Sequence, residues 1–90
     1  MKGFKEIEFN TQVWQEGEMY VGYIPQLDLS SCGRTVEEAK KNIREAVKLF
    51  FAGAEKLGTT NQILEEAGFV EDDRWKAPEL IAFERMRLAF

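Results

Sequence analysis

Alternating apolar and polar positions predict a first β-strand from Lys5 to Val13. Its apolar positions are Ile7, Phe9 and Val13. A period of two places these side chains on one buried face of a sheet. Polar residues around Gly17 interrupt the pattern, and the β-forming run Met19 to Ile24 follows. The two segments therefore predict a hairpin around Gly17.

A third, shorter strand is predicted between Pro25 and Gly33. Pro25 ends the second strand, because proline cannot donate a hydrogen bond to a neighbouring strand. Leu27 and Leu29 then alternate with polar residues until the pattern stops near Gly33. The three strands predict an antiparallel meander.

A long helix is predicted between Thr35 and Gly58. Thr35 and Glu38 have the spacing of a capping box, in which the Thr35 hydroxyl accepts from the Glu38 amide and the Glu38 carboxylate accepts from the Thr35 amide. Gly58 supplies the stop, which leaves 22 helical residues. The apolar face consists of Val36, Ala39, Ile43, Ala46, Val47, Phe50, Ala54 and Leu57. The opposite face is charged, and we interpret it as solvated surface.

The last third of the chain has weaker patterns. Thr59 and Gln62 repeat the capping spacing and predict a short helix that stops at Gly68. Residues 71–78 have turn composition and predict a loop. Over residues 80–90 the apolar positions alternate as in a strand, whereas the residue types favour a helix, so periodicity leaves both open.

Size and charge restrict the classes of function. Ninety residues form one domain spanning 1–90, and an apolar content of 44% is that of a folded protein. Twelve basic and 16 acidic residues give a net charge of −4, of which −3 falls on residues 51–90. Because no basic run is present, direct nucleic-acid binding is not expected. The acidity favours a basic protein partner.

Cysteine and histidine content narrows the chemistry further. Cys32 is the only cysteine, so no intrachain disulfide can form, and neither a signal peptide nor a long apolar run is present. The cytoplasm is the expected compartment. Histidine is absent, which removes the commonest general base and the commonest zinc ligand. We therefore expect a protein that is not an enzyme and uses no metal or cofactor.

Two weaker candidates for chemistry remain. Cys32 precedes a glycine as a nucleophile can, but no base accompanies it, so we interpret it as a small residue at a strand end. Glu6, Glu8 and Asp28 lie on neighbouring predicted strands, where carboxylates can gather a divalent cation. They alternate with the apolar positions, so we interpret them as solvent-facing.

An acidic cluster late in the chain is the main candidate for binding. It comprises Glu65, Glu66, Glu71, Asp72 and Asp73 and is followed by Trp75, a residue type that often anchors interfaces. One interpretation is a solvated helix face with a turn. The other is docking of a basic partner, which complementary charge accelerates. The candidate partner-binding residues are Asp28, Glu66, Glu71, Asp72, Asp73 and Trp75.

Residues 20–46 carry a distinctive order of motifs. A Tyr-rich strand ends at Pro25, and a Gly-x-Thr segment at Gly33–Thr35 leads into a helix. The helix reads T-x-E-E-A over Thr35–Ala39 and N-x-x-E-A over Asn42–Ala46. In this combination the stretch resembles the HicB-type antitoxin family.

The resemblance implies a fold for the whole chain. That fold is α+β and partly degenerate RNase H-like, with the order β-β-β-α-α-β and the long helix packed on the antiparallel sheet. It favours a strand for Leu80–Phe90. Leu64–Phe69 also resembles family members, whereas Asp28-Leu29 stands where many members read Pro-Gly, which predicts a different turn.

The resemblance also implies a function. HicB-type proteins bind and silence HicA-type toxins, which are small basic RNA-cleaving proteins, and they form homodimers or higher homo-oligomers. The chain would then be the antitoxin of a type II toxin–antitoxin pair. We expect no C-terminal DNA-binding domain, which many members carry. The alternative is an orphan regulatory or small-ligand-binding oligomer, and hydrolytic chemistry at Glu8 or Asp28 is a third hypothesis.

Overall fold

A computed structural model describes residues 6–90 as a mixture of strands and helices. In chain order the elements are β1 (Ile7–Glu8), β2 (Gln12–Glu16), β3 (Met19–Ile24), β4 (Leu29–Gly33), α1 (Val36–Leu57), α2 (Thr60–Glu66), β5 (Val70–Asp72) and β6 (Arg74–Lys76). The predicted α+β class, with its long and its short helix, is confirmed.

The antiparallel meander is present as the sheet β2-β3-β4. Glu16 pairs with Met19 across a tight turn in which Gly17 adopts φ +62°, a conformation that costs glycine little. The predicted first strand is divided, because a break after Glu8 separates β1 from β2. Lys5, where that predicted strand began, lies outside the described residues.

Helix α1 covers one face of this sheet at very close range. A Cβ atom added to Gly33 would lie 2.6 Å from the Ala39 amide nitrogen. The buried core groups residues of both helices, of β3, of β6 and of the link between α2 and β5: Ile24, Ile43, Val47, Phe51, Ala54, Leu64, Phe69 and Trp75.

The predicted apolar face of α1 is wrong at its C-terminal end. Leu57 is 79% exposed, whereas Phe51, which was not predicted, is buried. A helix of 22 residues is about 33 Å long, and strands of five or six residues span only about 17–20 Å. The last turn of α1 therefore extends past the sheet.

For α1 the Thr35 half of the capping box and the stop at Gly58 are confirmed, whereas the Glu38 half of the box and the Thr59 cap of α2 are wrong. Thr35 Oγ1 accepts from the Glu38 amide at 3.0 Å, although the Glu38 carboxylate accepts from the Arg34 amide rather than from the Thr35 amide. Gly58 ends the helix at φ +71°, as predicted. Thr59 makes no side-chain capping bond to α2. Its hydroxyl instead donates to the carbonyl oxygen of Ala54, at 3.5 Å.

The loop predicted over residues 71–78 is wrong, because β5 and β6 form a hairpin there. Strand β6 also pairs in parallel with β1, with Ile7 opposite Trp75. The Trp75 amide donates to the Glu6 carbonyl at 2.9 Å, and the Ala77 amide donates to the Glu8 carbonyl at 2.8 Å. A sequence of turn composition becomes a strand here because β1 takes its backbone hydrogen bonds.

The strand expected over Leu80–Phe90 is also wrong. Residues 77–90 contain neither helix nor strand, and most of their apolar side chains are exposed. An extended segment becomes a strand only when a neighbour satisfies its backbone groups. The last strand of the described residues is instead β6, which pairs with β1 and β5.

Candidate partner-binding surface

The meander has one face that α1 does not cover. Gly22 faces α1, since a Cβ atom added there would lie 3.1 Å from the Ala39 carbonyl oxygen. Side chains alternate along a strand, so Val21 and Tyr23 lie on the opposite face. Cross-strand register places Trp14 and Cys32 beside Val21 on that open face.

Two aromatic rings and two carboxylates form a continuous line across this open face. The Trp14 and Tyr23 rings meet edge to face, with centroids 5.8 Å apart and planes at 72°. Trp14 Nε1 donates to Glu16 Oε2 at 2.6 Å, and the Tyr23 hydroxyl donates to Asp28 Oδ1 at 2.9 Å. We call Glu16, Trp14, Tyr23 and Asp28 the acid–aromatic row.

The turn after β3 positions the Asp28 end of the row. Asp28 has φ +52°, a conformation that Asp and Asn adopt more readily than most residues. The Asp28 amide donates to the Pro25 carbonyl at 3.3 Å, which closes the turn. Asp28 thus occupies a left-handed position at the point where the sequence departs from the Pro-Gly of many HicB-type proteins.

Asp28 also changes the titration of its neighbour. The hydrogen bond to its carboxylate raises the pKa of Tyr23 above 10.0, and desolvation and the carboxylate charge act in the same direction. Tyr23 is therefore a neutral hydrogen-bond donor at physiological pH. Its phenol and the Asp28 carboxylate form a fixed pair.

The acid–aromatic row has the chemistry of a site for a cationic side chain. Carboxylates attract lysine and arginine, and the faces of Trp and Tyr add a cation–π attraction of about 0.5–1 kcal/mol at exposed sites. Sequence reasoning selected Asp28 but missed Glu16, Trp14 and Tyr23. The available signal was Trp14 itself, a large aromatic at a polar position of the alternating pattern in β2.

The β5–β6 hairpin carries the three predicted acidic binding residues Glu71, Asp72 and Asp73. All three are exposed, and Asp73 forms the tight turn at φ +60°. Arg74 forms ion pairs with Glu6 and Glu8 at 3.3 and 3.4 Å. Arg74 of the hairpin is thus paired with two carboxylates that lie outside it. We call residues 70–76 the acidic hairpin.

Glu66 lies at a different place, at the end of α2. Its carboxylate accepts from Gln62 Nε2 at 3.2 Å. It borders a shallow hollow together with Gln26, Leu27, Phe50, Ile63 and Ala67. Because Gln26 and Leu27 belong to the turn that carries Asp28, the structure brings Glu66 and that turn to one hollow.

Trp75 differs from the other predicted binding residues because it is only 4% exposed. It lies on β6, the middle strand of the sheet β1-β6-β5, and its ring is part of the core. Its Nε1 atom is buried without a hydrogen-bond partner. An indole in this position stabilises the fold, and a partner cannot reach it without unfolding β6.

The structure separates the carboxylates that we considered for a metal. Glu6 and Glu8 contact Arg74, whereas Asp28 contacts Tyr23. Within residues 6–90, no group of three or more His, Cys, Asp or Glu side chains is arranged to hold a metal ion. The helices of this same region include none that is both long enough and apolar enough to cross a membrane.

No protein-family model, curated protein or solved structure matches the chain significantly. The resemblance to HicB-type proteins therefore rests on the motifs of residues 20–46 and on Leu64–Phe69.

Proposed function

We propose that this chain is the antitoxin of a type II toxin–antitoxin pair and neutralises a small basic RNA-cleaving toxin of the HicA type in the cytoplasm. It does so by stoichiometric binding and not by catalysis. The observation that carries the proposal is the acid–aromatic row on the open face of the sheet. The net charge of −4 also favours a basic partner.

The chemistry of the row suits a protein that competes with RNA. A toxin that cleaves RNA needs basic side chains for the phosphates and surfaces on which bases stack. The row presents carboxylates beside aromatic rings, so it can engage the same basic side chains. Bound there, the antitoxin excludes RNA from the surface that the toxin uses.

The motifs that resemble HicB-type proteins converge on one structural junction, between β4 and α1. Gly33 allows α1 to approach, Thr35 caps it, and Asn42 Nδ2 donates to the Cys32 carbonyl at 2.8 Å. These residues support the proposed fold, whereas the acidic surface supports the proposed function.

The pairing of β1 with β6 supports the proposed RNase H-like fold. It adds a strand parallel to β1, in the sheet β1-β6-β5, and β1 precedes the meander β2-β3-β4 along the chain. Under this proposal, β6 at Arg74–Lys76 corresponds to the further strand that the resemblance implies, and it precedes the segment for which we expected that strand.

Purification of the tagged chain from its native host tests the proposal. We expect a small basic protein to copurify in stoichiometric amount. Expressed alone, that protein should arrest growth and cleave RNA, and coexpression of this chain should abolish both effects. The proposal is wrong if the copurifying protein neither cleaves RNA nor arrests growth. Recovery of only the homo-oligomer, from cells shown to express the neighbouring small basic gene, would instead favour an orphan regulatory oligomer.

A further inference from the structure

The last 12 residues form an extended arm that exposes its apolar side chains. We call residues 79–90 the C-terminal arm. Ile81 is 84% exposed, Phe83 is 80% exposed and Leu88 is 79% exposed. The longest axis of the molecule is 53 Å, and the radius of gyration is 15.1 Å, against about 12 Å for a compact chain of this length. An arm of this composition needs a surface that covers it.

The distal half of the arm has the alternation of a strand. Met86, Leu88 and Phe90 occupy one side of an extended chain, and Arg85 and Arg87 occupy the other. Residues 85–90 contain these two arginines and no acidic residue, whereas residues 1–78 carry a net charge of −4. The tip of the arm is therefore electrostatically complementary to the body of this same protein.

A groove beside β2 has the shape to receive such a segment. Among residues 6–90, strand β2 is at the edge of its sheet, with β3 as its only neighbour there. The groove measures about 580 Å³ and is lined by Gln12, Val13, Trp14 and Pro25 together with Leu80 and Phe83 of the arm. It therefore shares Trp14 with the acid–aromatic row. The base of the arm thus supplies one wall, and residues 85–90 are not among the lining residues.

We propose that a second copy of this chain fills the groove, so that two protomers exchange their C-terminal arms in a symmetric homodimer. Each chain carries both the arm and the groove, which is the self-complementarity that a two-fold interface requires. The six large apolar residues of one arm expose on the order of 800 Å², which is about the area that each partner buries in a standard interface. This inference rests on the homo-oligomer that accompanies the proposed antitoxin function, and it identifies the segments that form it.

The oligomeric mass of the purified full chain, measured by light scattering over a range of concentrations, is the first test. We expect a dimer of twice 10.4 kDa. Leu88→Glu should weaken dimerisation at least tenfold without changing the circular dichroism of the body. Leu57→Glu is the matched control, because Leu57 on α1 is as exposed as Leu88 and lies outside the arm. A monomer at every concentration, or a dimer that Leu88→Glu leaves intact, overturns the proposal.

A photocrosslinking amino acid at position 88 locates the arm. In a mixture of heavy-isotope-labelled and unlabelled chains, exchanged arms give crosslinked peptides that combine both isotopes and map to residues 10–14 or 25–26. Crosslinks within one chain, or to residues outside those ranges, contradict arm exchange.

The outcome is separable from that of the antitoxin proposal. A monomeric chain that still neutralises the toxin overturns arm exchange alone. An arm-exchanged dimer that binds no toxin overturns the antitoxin function alone. A crosslink from position 88 to the toxin, with no homodimer in its absence, shows that the toxin covers the arm and overturns the second copy as its occupant.

Discussion

The Tyr23 hydroxyl donates a hydrogen bond to Asp28 Oδ1 across the turn that ends β3, at 2.9 Å. This contact joins the open face of the sheet to the turn that borders the Glu66 hollow. It also gives the acid–aromatic row a titration signature that can be measured without knowledge of the partner.

Replacement of Asp28 should restore ordinary titration to Tyr23. In a Tyr20→Phe background, Asp28→Asn should lower the pKa of Tyr23 toward 10.0, because the carboxylate that favours the neutral phenol is removed. Asn tolerates the positive φ of this position, so the turn should be kept. Tyrosinate absorbance measures the shift. Glu16→Gln is the control and should leave it unchanged, and a pKa unaffected by Asp28→Asn contradicts the contact.

The same contact predicts the direction of a pH effect on stability. The pKa of Tyr23 is higher in the folded chain than in the unfolded chain. The stabilisation from this pair is therefore fully present below about pH 10 and is lost as pH rises through the folded-state pKa. Urea denaturation on both sides of pH 10 should show a smaller pH-dependent loss in Asp28→Asn than in the wild type.

Two glycines near α1 should respond to alanine in opposite directions. Gly33→Ala should lower the free energy of unfolding by about 1–3 kcal/mol, because its Cβ atom would lie 2.6 Å from the Ala39 nitrogen. At Gly53, inside α1, the described residues place nothing within 4 Å of the corresponding position apart from the adjoining backbone of the helix itself. Gly53→Ala should raise the free energy of unfolding by about 0.5–1 kcal/mol. Equal effects of the two substitutions in urea denaturation would contradict the close approach of β4 and α1.

The two threonines with capping spacing, Thr35 and Thr59, should contribute differently to stability. Thr35→Ala should cost about 1 kcal/mol of stability, since it removes the acceptor of the Glu38 amide. Thr59→Ala should cost clearly less, because Thr59 makes no side-chain capping bond to α2. Thermal unfolding followed by circular dichroism compares them, and a larger loss for Thr59→Ala would show that the assignment of the caps is wrong.

Substitution of Trp75 should affect mainly stability, whereas substitution of Trp14 should affect mainly toxin binding. Trp75→Ala should lower the free energy of unfolding by about 3–5 kcal/mol, because the ring is buried in the core. Trp14 is 39% exposed, so Trp14→Ala should cost only about 1 kcal/mol. Under the proposed function, Trp14→Ala should nevertheless weaken toxin binding, measured by calorimetry. A folded Trp14→Ala variant with unchanged affinity would remove Trp14 from the interface.

The negative charge of the acidic hairpin should accelerate association with a basic partner. Asp72→Lys combined with Asp73→Lys should slow association with the toxin about tenfold at low salt and flatten its salt dependence. The control is Glu37→Lys combined with Glu45→Lys on the charged face of α1, which changes the net charge equally. Stopped-flow association rates distinguish the two surfaces. Equal rates for the hairpin variant and the wild type at low salt would exclude the hairpin from steering.

Several features of this fold follow from the sequence alone, and each depends on groups that are close along the chain. The Gly17 hairpin, the Thr35 cap and the Gly58 stop each involve residues within five positions of one another. Backbone conformation and short-range hydrogen bonds determine such features, and residue types encode both.

Other features were decided only in three dimensions. Residues 71–78 have turn composition, yet they form a hairpin because β1, 68 positions away along the chain, pairs with β6. That pairing buries Trp75, whereas Leu80–Phe90 pairs with no strand of the described residues.

The candidate site shows the same division. Asp28 was found from its charge, whereas Glu16, Trp14 and Tyr23 become a site only when cross-strand register places them beside it. The pattern along the chain determined which residues form local turns, caps and strands. The tertiary structure decided which of them share a surface, because long-range pairing depends on neighbours that periodicity does not specify.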